Sequence, residues 1–582
     1  MRTRSILIGG AALLAVALPA IAQQVAQAPS QPAPPQAQPV ANTVAPATSL
    51  STAPEGDTSV TELTLNLPPP PPPTEYPEHA RRDPWVVGRL DPLRIGLGEN
   101  PWGGASGTFL SVLMRRMDTP ISSRWAHIAL RNALLVKAHA PNAVNPVDWA
   151  AERAWLLLRL GEADAARMLI ADVDTDRFTP KMTQVAVQSA LANADPPALC
   201  PLQEGIRKYD GQIRALVAAM CSSLSGEPES AAAQIDDARR RGRIGGIDLM
   251  LAQKVVGAAA NTGRAATIEW DPVDQLTAWR FGLATATGIV PPNRLMKDAS
   301  SQLRAFQARA PLLAADQRLE SARIATGLGV FSSQSMIDLY SAIYDSTDPS
   351  DLPNTDAWKL REAFVGKDRD IKLAAFRKLL DDTKDPLQHE AVRAMLGRAA
   401  SLIDPDPKLE KDAPELIAAM LAAGYDRAAA RWAGVARRMG GELGDRCWAM
   451  LALSAPDPRA LDLSAARITG FISRDKSEDR VRSALLVGAL AGLGRINASA
   501  ADSLSRRYGL GVGRQSIWTQ MIDAASARGQ SATVLVLTGT GLQTADMDRV
   551  PGAHLYHIVA GLVRTRQDYY ARMIAAEALS RT

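Results

Sequence analysis

From about residue 119 to the end of the chain, apolar positions recur at spacings of three and four. In "GQIRALVAAMCSSL", Ile213, Leu216, Val217, Met220, Cys221 and Leu224 fall on one helical face. "HLYHIVAGLV" repeats the pattern with Leu555, Ile558, Val559, Leu562 and Val563. Pro, Gly, Asn and Asp punctuate these segments, as in "HAPNAVNP", "ANADPP", "STDPSDLPNTD", "DPDP" and "SAPDP". Alanine fills the segment interiors, which favours helix and lets neighbouring helices approach closely. Alternating strand patterns are absent. The pattern predicts an all-α body over residues 119–582.

A finer pattern sits at three helix junctions. "LLLRLGEADAARMLI", "SSLSGEPESAAAQI" and "MLAAGYDRAAARWA" each hold a glycine (Gly161, Gly226, Gly424) and an alanine five positions on (Ala166, Ala231, Ala429). The glycine closes one helix, and the small residue lets the next pack tightly. This resembles the Gly-x4-Ala junction between the two helices of a tetratricopeptide repeat. The Trp, Tyr and terminal Pro positions of that family do not recur at its interval of about 34 residues. The expected architecture is therefore a degenerate tetratricopeptide-like α-solenoid, its helical hairpins stacked in sequence order.

"VLVLTGTGLQ", residues 534–543, imitates a buried strand entering a phosphate-binding turn. A dinucleotide fingerprint needs G-x-G-x-x-G within a strand-helix-strand unit. Gly539-Thr540-Gly541 has no third glycine and is flanked by helical patterns. Thr533 to Leu537 is expected to be a buried helical turn ended by Gly539 and Gly541. "YGLGVGRQ", Tyr508 to Gln515, reads as an interhelical loop.

The N-terminal part differs. "MRTRSILIGGAALLAVALPAIAQQ" has a basic start at Arg2 and Arg4, a short apolar run, and the small-x-small site Ala20-Ile21-Ala22. This reads as a Sec-type signal peptide, residues 1–22, cleaved after Ala22; the alternative is an uncleaved anchor. Residues 23–80 are rich in Pro, Ala, Gln, Ser and Thr and include Pro68 to Pro73. They are expected to form a disordered linker with a stiff polyproline spacer, or else a proline-rich ligand. Residues 81–118 combine closely spaced Gly and Pro with Trp85, Val86, Val87, Leu93, Ile95 and Trp102. They predict a mostly extended arm lying on the body and turning helical near Phe109. Export implies the periplasm, with secretion beyond the outer membrane left open. Beyond the signal, no apolar run is long enough to insert in a membrane.

Net charge is only +4, and the one dense basic cluster, Arg239-Arg240-Arg241-x-Arg243, falls where a helix ends before Gly245-Gly246. Cations suit that end of a helix dipole; an anion or nucleic-acid patch is the alternative. Aromatic residues make up 5% of the chain, too few to suggest a stacking surface for nucleic acid. Three motifs offer chemistry. Ser473-x-x-Lys476 matches the S-x-x-K of penicillin-interacting enzymes, but K-T-G is missing, so Ser473 reads as a helix N-cap. Asp172, Asp174 and Asp176 alternate as in a calcium loop, but Arg177 and Thr183 occupy its Gly and Glu positions, leaving a solvated loop. His554 and His557 lie three apart without H-E-x-x-H and read as surface or capping residues. No catalytic, cofactor-binding or metal-binding residue is assigned, and no cofactor is expected.

Thiols tend to pair in an oxidising compartment. Cys200 precedes Pro201 at a helix start, and Cys221 lies near the end of the next amphipathic helix. A hairpin turning near Asp210-Gly211 would bring them together as a disulfide; the alternative is two buried free thiols. Cys447 is left over, beside Trp448.

"ENPWGGASG", "LLLRLGEADAARML", "ALCPLQEG" with its later "AMC", and "ARMIAAEAL" resemble uncharacterised exported Ala-rich helical proteins of alphaproteobacteria, over most of the folded part. That resemblance implies no activity. The expected function is a non-catalytic periplasmic scaffold that binds another envelope protein through its solenoid surface. The alternative is a factor that binds or hydrolyses cell-wall peptidoglycan through an unrecognised site. Nucleic acid is not an expected partner.

Overall fold

A computed structural model describes residues 77–582, except 119, 207–210, 242–244 and 262–266. The expected signal peptide with Ala22, Pro68–Pro73, Asp210 and Arg243 lie outside the described residues. So do residues 23–76 of the expected linker.

The described chain is all-α. One two-stranded antiparallel pair, Val86–Val87 with Ala138–His139, is the only sheet among the described residues. The breaker dipeptides of the sequence turn out to be helix starts. Asn145 caps the helix Pro146–Arg159, its side chain accepting from the N–H groups of Val147 and Asp148. Thr179 caps Pro180–Ala192 and Asp385 caps Pro386–Ser401 in the same way. Each pair joins a side-chain acceptor to a proline whose missing N–H costs nothing at the first helical position. At the three glycine junctions, Gly161, Gly226 and Gly424 take φ of +87°, +86° and +87°. Ala166, Ala231 and Ala429 are fully buried just beyond them.

Sequence-order stacking accounts for Pro146–Arg159 against Ala163–Ile170 and for Pro386–Ser401 against Ala413–Ala422. It does not account for the helix Arg124–Leu134, which packs on Ser531–Gly541 and Asp568–Ser580. An early helix and the last helix of the described body therefore meet. The reason lies in "VLVLTGTGLQ". It is helix, and Val534, Leu535, Val536 and Leu537 are all buried. A helix apolar all round must be covered on every side. Ala126, Ala129, Leu130 and Ala133 supply one of its walls. Contrary to expectation, Gly539 does not end this helix, which continues to Gly541. The glycines permit close approach instead. A Cβ on Gly539 would lie 3.0 Å from Leu130, and one on Gly541 only 2.2 Å from Trp518.

Buried charge fastens the same meeting point. Glu577 accepts from the backbone N–H of Arg124 at 2.8 Å, from that of Trp125 at 3.1 Å, and from the Ser123 hydroxyl at 2.5 Å. A carboxylate thus caps the start of Arg124–Leu134, where the helix dipole favours negative charge. Arg124 does the reverse. It donates to the carbonyls of Thr326 (2.9 Å) and Ala422 (2.6 Å), near the ends of two other helices.

The segment before the first long helix, Gly107–Arg116, is a strap. Arg81 pairs with Asp176 at 2.8 Å, the Arg82 N–H donates to Asp174, and Arg89 pairs with Asp172 at 2.8 Å. The "DVDTD" segment is therefore not simply a solvated loop, because each carboxylate meets an arginine of the strap. Further along, the carbonyls of Leu97, Pro101 and Gly103 accept from Ser531, Ala532 and Gln530 at the start of Ser531–Gly541. The buried Arg153 donates to the carbonyls of Val87, Leu134 and Val136 and pins the strap to the body.

The body has two hydrophobic cores. The larger gathers residues from Val87 to Leu579. A satellite core spans Ala186 to Leu295, centred on Leu199, Leu216, Val217, Met220, Leu251 and Leu283.

Candidate functional site

A groove of about 820 Å³ opens along the seam between the two cores. Pro146–Arg159 contributes Glu152 and Trp155 from the larger core's side, and Pro180–Ala192 contributes Lys181, Gln184 and Gln188. These fall at spacings of three and four, so each set shares one helical face. The satellite side supplies Ile213 and Leu216 from Gly211–Leu224 and Trp279 from Ala278–Thr285.

Glu152 is 3% exposed. One of its oxygens meets both Lys181 Nζ at 2.6 Å and Arg115 Nε at 3.0 Å. Asp248, also on the wall, is held by both arms of the Arg280 guanidinium at 3.0 and 2.9 Å. Two cations sharing one carboxylate leave the centre of the groove with a positive surplus. The amides of Gln184 and Gln188 make no hydrogen bond among the described residues. Trp155 is 38% exposed, whereas Trp279 is buried. The lining contains no Ser, Cys or His. Such a surface can take up an anionic group, an apolar group and a hydrogen-bonding backbone.

No family model, curated protein or solved structure matches the chain. Its function must therefore be read from its own geometry.

Cys200 and Cys221 are bonded, with S–S 2.07 Å and Cα–Cα 5.6 Å. The bridge ties the short 3-10 helix Pro196–Leu202 to Gly211–Leu224, the helix that brings Ile213 and Leu216 to the groove. Cys447 is free and buried, and burial pushes its thiol up to about 12, which leaves it inert.

The other motifs fall elsewhere. Ser473 is not an N-cap. It lies in the last turn of Ala465–Arg474 and donates to the Thr469 carbonyl at 2.9 Å. Lys476 lines a cavity together with Ser473, and no hydrogen bond joins the two. Neither His554 nor His557 is exposed, and of the surface-or-capping reading the capping half fits His554, whose Nδ1 lies 3.3 Å from the carbonyl of Gly541 at the end of Ser531–Gly541. His554 lies against Trp518, ring centroids 4.4 Å apart, and burial lowers its pKa. His557 is buried with Nδ1 3.0 Å from Asp523. Arg239 and Arg241 pair with Asp236 and Asp237 at the end of Pro228–Arg240, as a helix-end cluster should. Among the described residues, no helix is long and apolar enough to cross a membrane.

Sequence reading did not single out Glu152, Lys181, Trp155 or Trp279. One signal was present. "PVDWAAERAWLLLR" carries Glu152 and Arg153 amid apolar residues on all sides, so a charge had to be buried or to line a groove.

Proposed function

We propose that the protein is a non-catalytic helical scaffold of the periplasm that binds an extended segment of another envelope protein in this seam groove. The observation that carries the reading is the shared carboxylate. Arg115 and Lys181 converge on Glu152, so the centre attracts an acidic side chain or a peptide carboxylate. Beside it, the Gln184 and Gln188 amides each offer a donor and an acceptor, the complement of a peptide backbone. Trp155 gives an apolar neighbour a face to cover. The preferred ligand is a stretch with an acidic residue next to an apolar one.

A photo-crosslinking residue in place of Gln184 in the native cell tests this. The expected product is a crosslink to one envelope protein, lost when Trp155→Ala is added. Crosslinks to peptidoglycan fragments would instead support the cell-wall reading. No specific product would remove the groove as the binding surface.

A further inference from the structure

A second cleft carries its own chemistry. Two cavities of about 430 and 360 Å³ adjoin across Glu442, Arg446 and Arg482. Lys476 lines the first and Lys384 the second. Neither lysine makes an ion pair or hydrogen bond among the described residues. Arg446 spends one Nη2 on Glu415, at 3.1 Å. Arg482 gives both Nε, at 2.7 Å, and Nη2 to the Thr582 carbonyl and keeps Nη1 3.7 Å from Glu442. The Glu442 side chain is largely exposed, and such a loose surface pair contributes little and exchanges readily.

The acidic groups of the wall do not balance these cations. Glu442, the exposed Asp546 and Asp475 are the carboxylates there without a close cation among the described residues, and Asp475 is held by the hydroxyls of Ser477 and Ser483. Asp445 is fully engaged, accepting from Arg467 at 2.7 Å and from Arg474 at 2.8 Å. Guanidinium groups match carboxylate and phosphate oxygens in pairs, and lysine adds a point charge. We propose that this cleft binds a small ligand with two anionic groups, phosphates or carboxylates, one held near Lys476 and Arg482 and the other near Arg446 and Lys384. This also gives the Ser473-x-x-Lys476 motif a use without a nucleophile: its lysine is an anion ligand.

Titration calorimetry of the full chain, near neutral pH and at physiological salt, tests the site with pyrophosphate and citrate as probes. Saturable binding of at least one is expected, and the better binder distinguishes a phosphate ligand from a carboxylate one. Lys476→Gln should weaken it by about tenfold, and adding Lys384→Gln should weaken it again. Neither lysine supports the fold through a contact, so the melting temperature should hold. Trp155→Ala, in the other groove, should leave probe binding unchanged. No saturable binding of either probe, or equal binding by the double lysine variant, would overturn the proposal.

Discussion

The two cores are built on different principles. The larger one buries charge. Arg124, Glu152, Arg153, Glu162, Glu390, Arg393, Asp445 and Glu577 all lie within it or on its boundary. Among the described residues of the satellite, the buried polar groups are uncharged ones such as Ser223 and Thr285. The satellite holds the disulfide instead. Size explains the contrast. A large core leaves many helix ends inside, and each needs a cap, so buried carboxylates and guanidiniums have work at Thr326, Ala422 and Ser123. A small core buries too little apolar surface to secure itself, and a covalent tie is the usual remedy. The groove runs where the two kinds of construction meet.

The sharpest way to break the larger core is Glu577→Ala. It uncaps Arg124–Leu134 at its backbone N–H groups and leaves Arg581 without its buried carboxylate partner. Removing one member of a buried ionic cluster costs about 3–5 kcal/mol. Denaturant unfolding of the variant should show a loss of that size. A loss below about 1 kcal/mol would mean that the meeting of Arg124–Leu134 with the last helix does not hold the body together.

The matching experiment on the satellite is Cys200→Ser with Cys221→Ser. A bridge across a sequence separation of 21 contributes about 3 kcal/mol in the chain-entropy picture. Hydrogen exchange should quicken across the helices Gly211–Leu224 and Gly246–Ala259 and stay unchanged in Asp568–Ser580. Exchange that quickened equally everywhere would show one cooperative body instead of two. Because Ile213 and Leu216 ride on the bridged helix, peptide affinity should fall with the same variant.

The helical framework was legible in the sequence, and the division into two cores was not. The helices, the three glycine junctions and the Cys200–Cys221 pairing follow from local spacing, because each depends on residues close along the chain. The meeting of Arg124–Leu134 with the last helices does not. It rests on Glu577 in "ARMIAAEAL" finding Ser123 and Arg124, and nothing in either segment names the other. The strap was half legible. Its apolar residues demanded a surface, but the match of Arg81, Arg82 and Arg89 to Asp176, Asp174 and Asp172 needs three dimensions. The groove was hidden for the same reason, since Lys181 and Glu152 come from separate helices and Trp279 from a third.

Acid should separate the cores further. Burial disfavours the charge on Glu415, but the Arg393 fork, at 2.9 and 3.0 Å, and Arg446 outweigh it and hold its carboxyl below the ordinary range. Arg474 and Arg467 do the same for Asp445 against its own burial. A carboxylate with a lowered folded pKa contributes stability that is complete above the ordinary carboxylate range and is lost as pH falls through the lowered value. Glu390 works the other way. Burial raises its pKa, so the folded state takes up that proton more readily and gains relative stability as pH falls. The larger core should thus lose stability between about pH 5 and 2, while the satellite, with no buried charge among its described residues, changes less. Glu415→Gln should cost about 2 kcal/mol at neutral pH and flatten the acid transition. Glu390→Gln, which imitates the protonated acid, should cost less than half of that. Equal costs would refute the opposite pKa directions.

The smallest expected change in stability falls on the seam itself. Trp155 projects from a helix of the larger core but contacts no aromatic ring and makes no hydrogen bond among the described residues. It is 38% exposed, so Trp155→Ala should alter unfolding by only about 1 kcal/mol, far less than a buried tryptophan would. Its effect on binding should be disproportionate. Interface energy concentrates on a few large side chains, and loss of such an anchor typically costs 2 kcal/mol or more, about thirtyfold in affinity. Affinity for a peptide carrying an acidic residue beside an apolar one should therefore fall at least that far while the melting temperature barely moves. The reverse outcome, a large stability loss with affinity intact, would make Trp155 part of the packing between the cores. The seam would then be a joint and not a binding site.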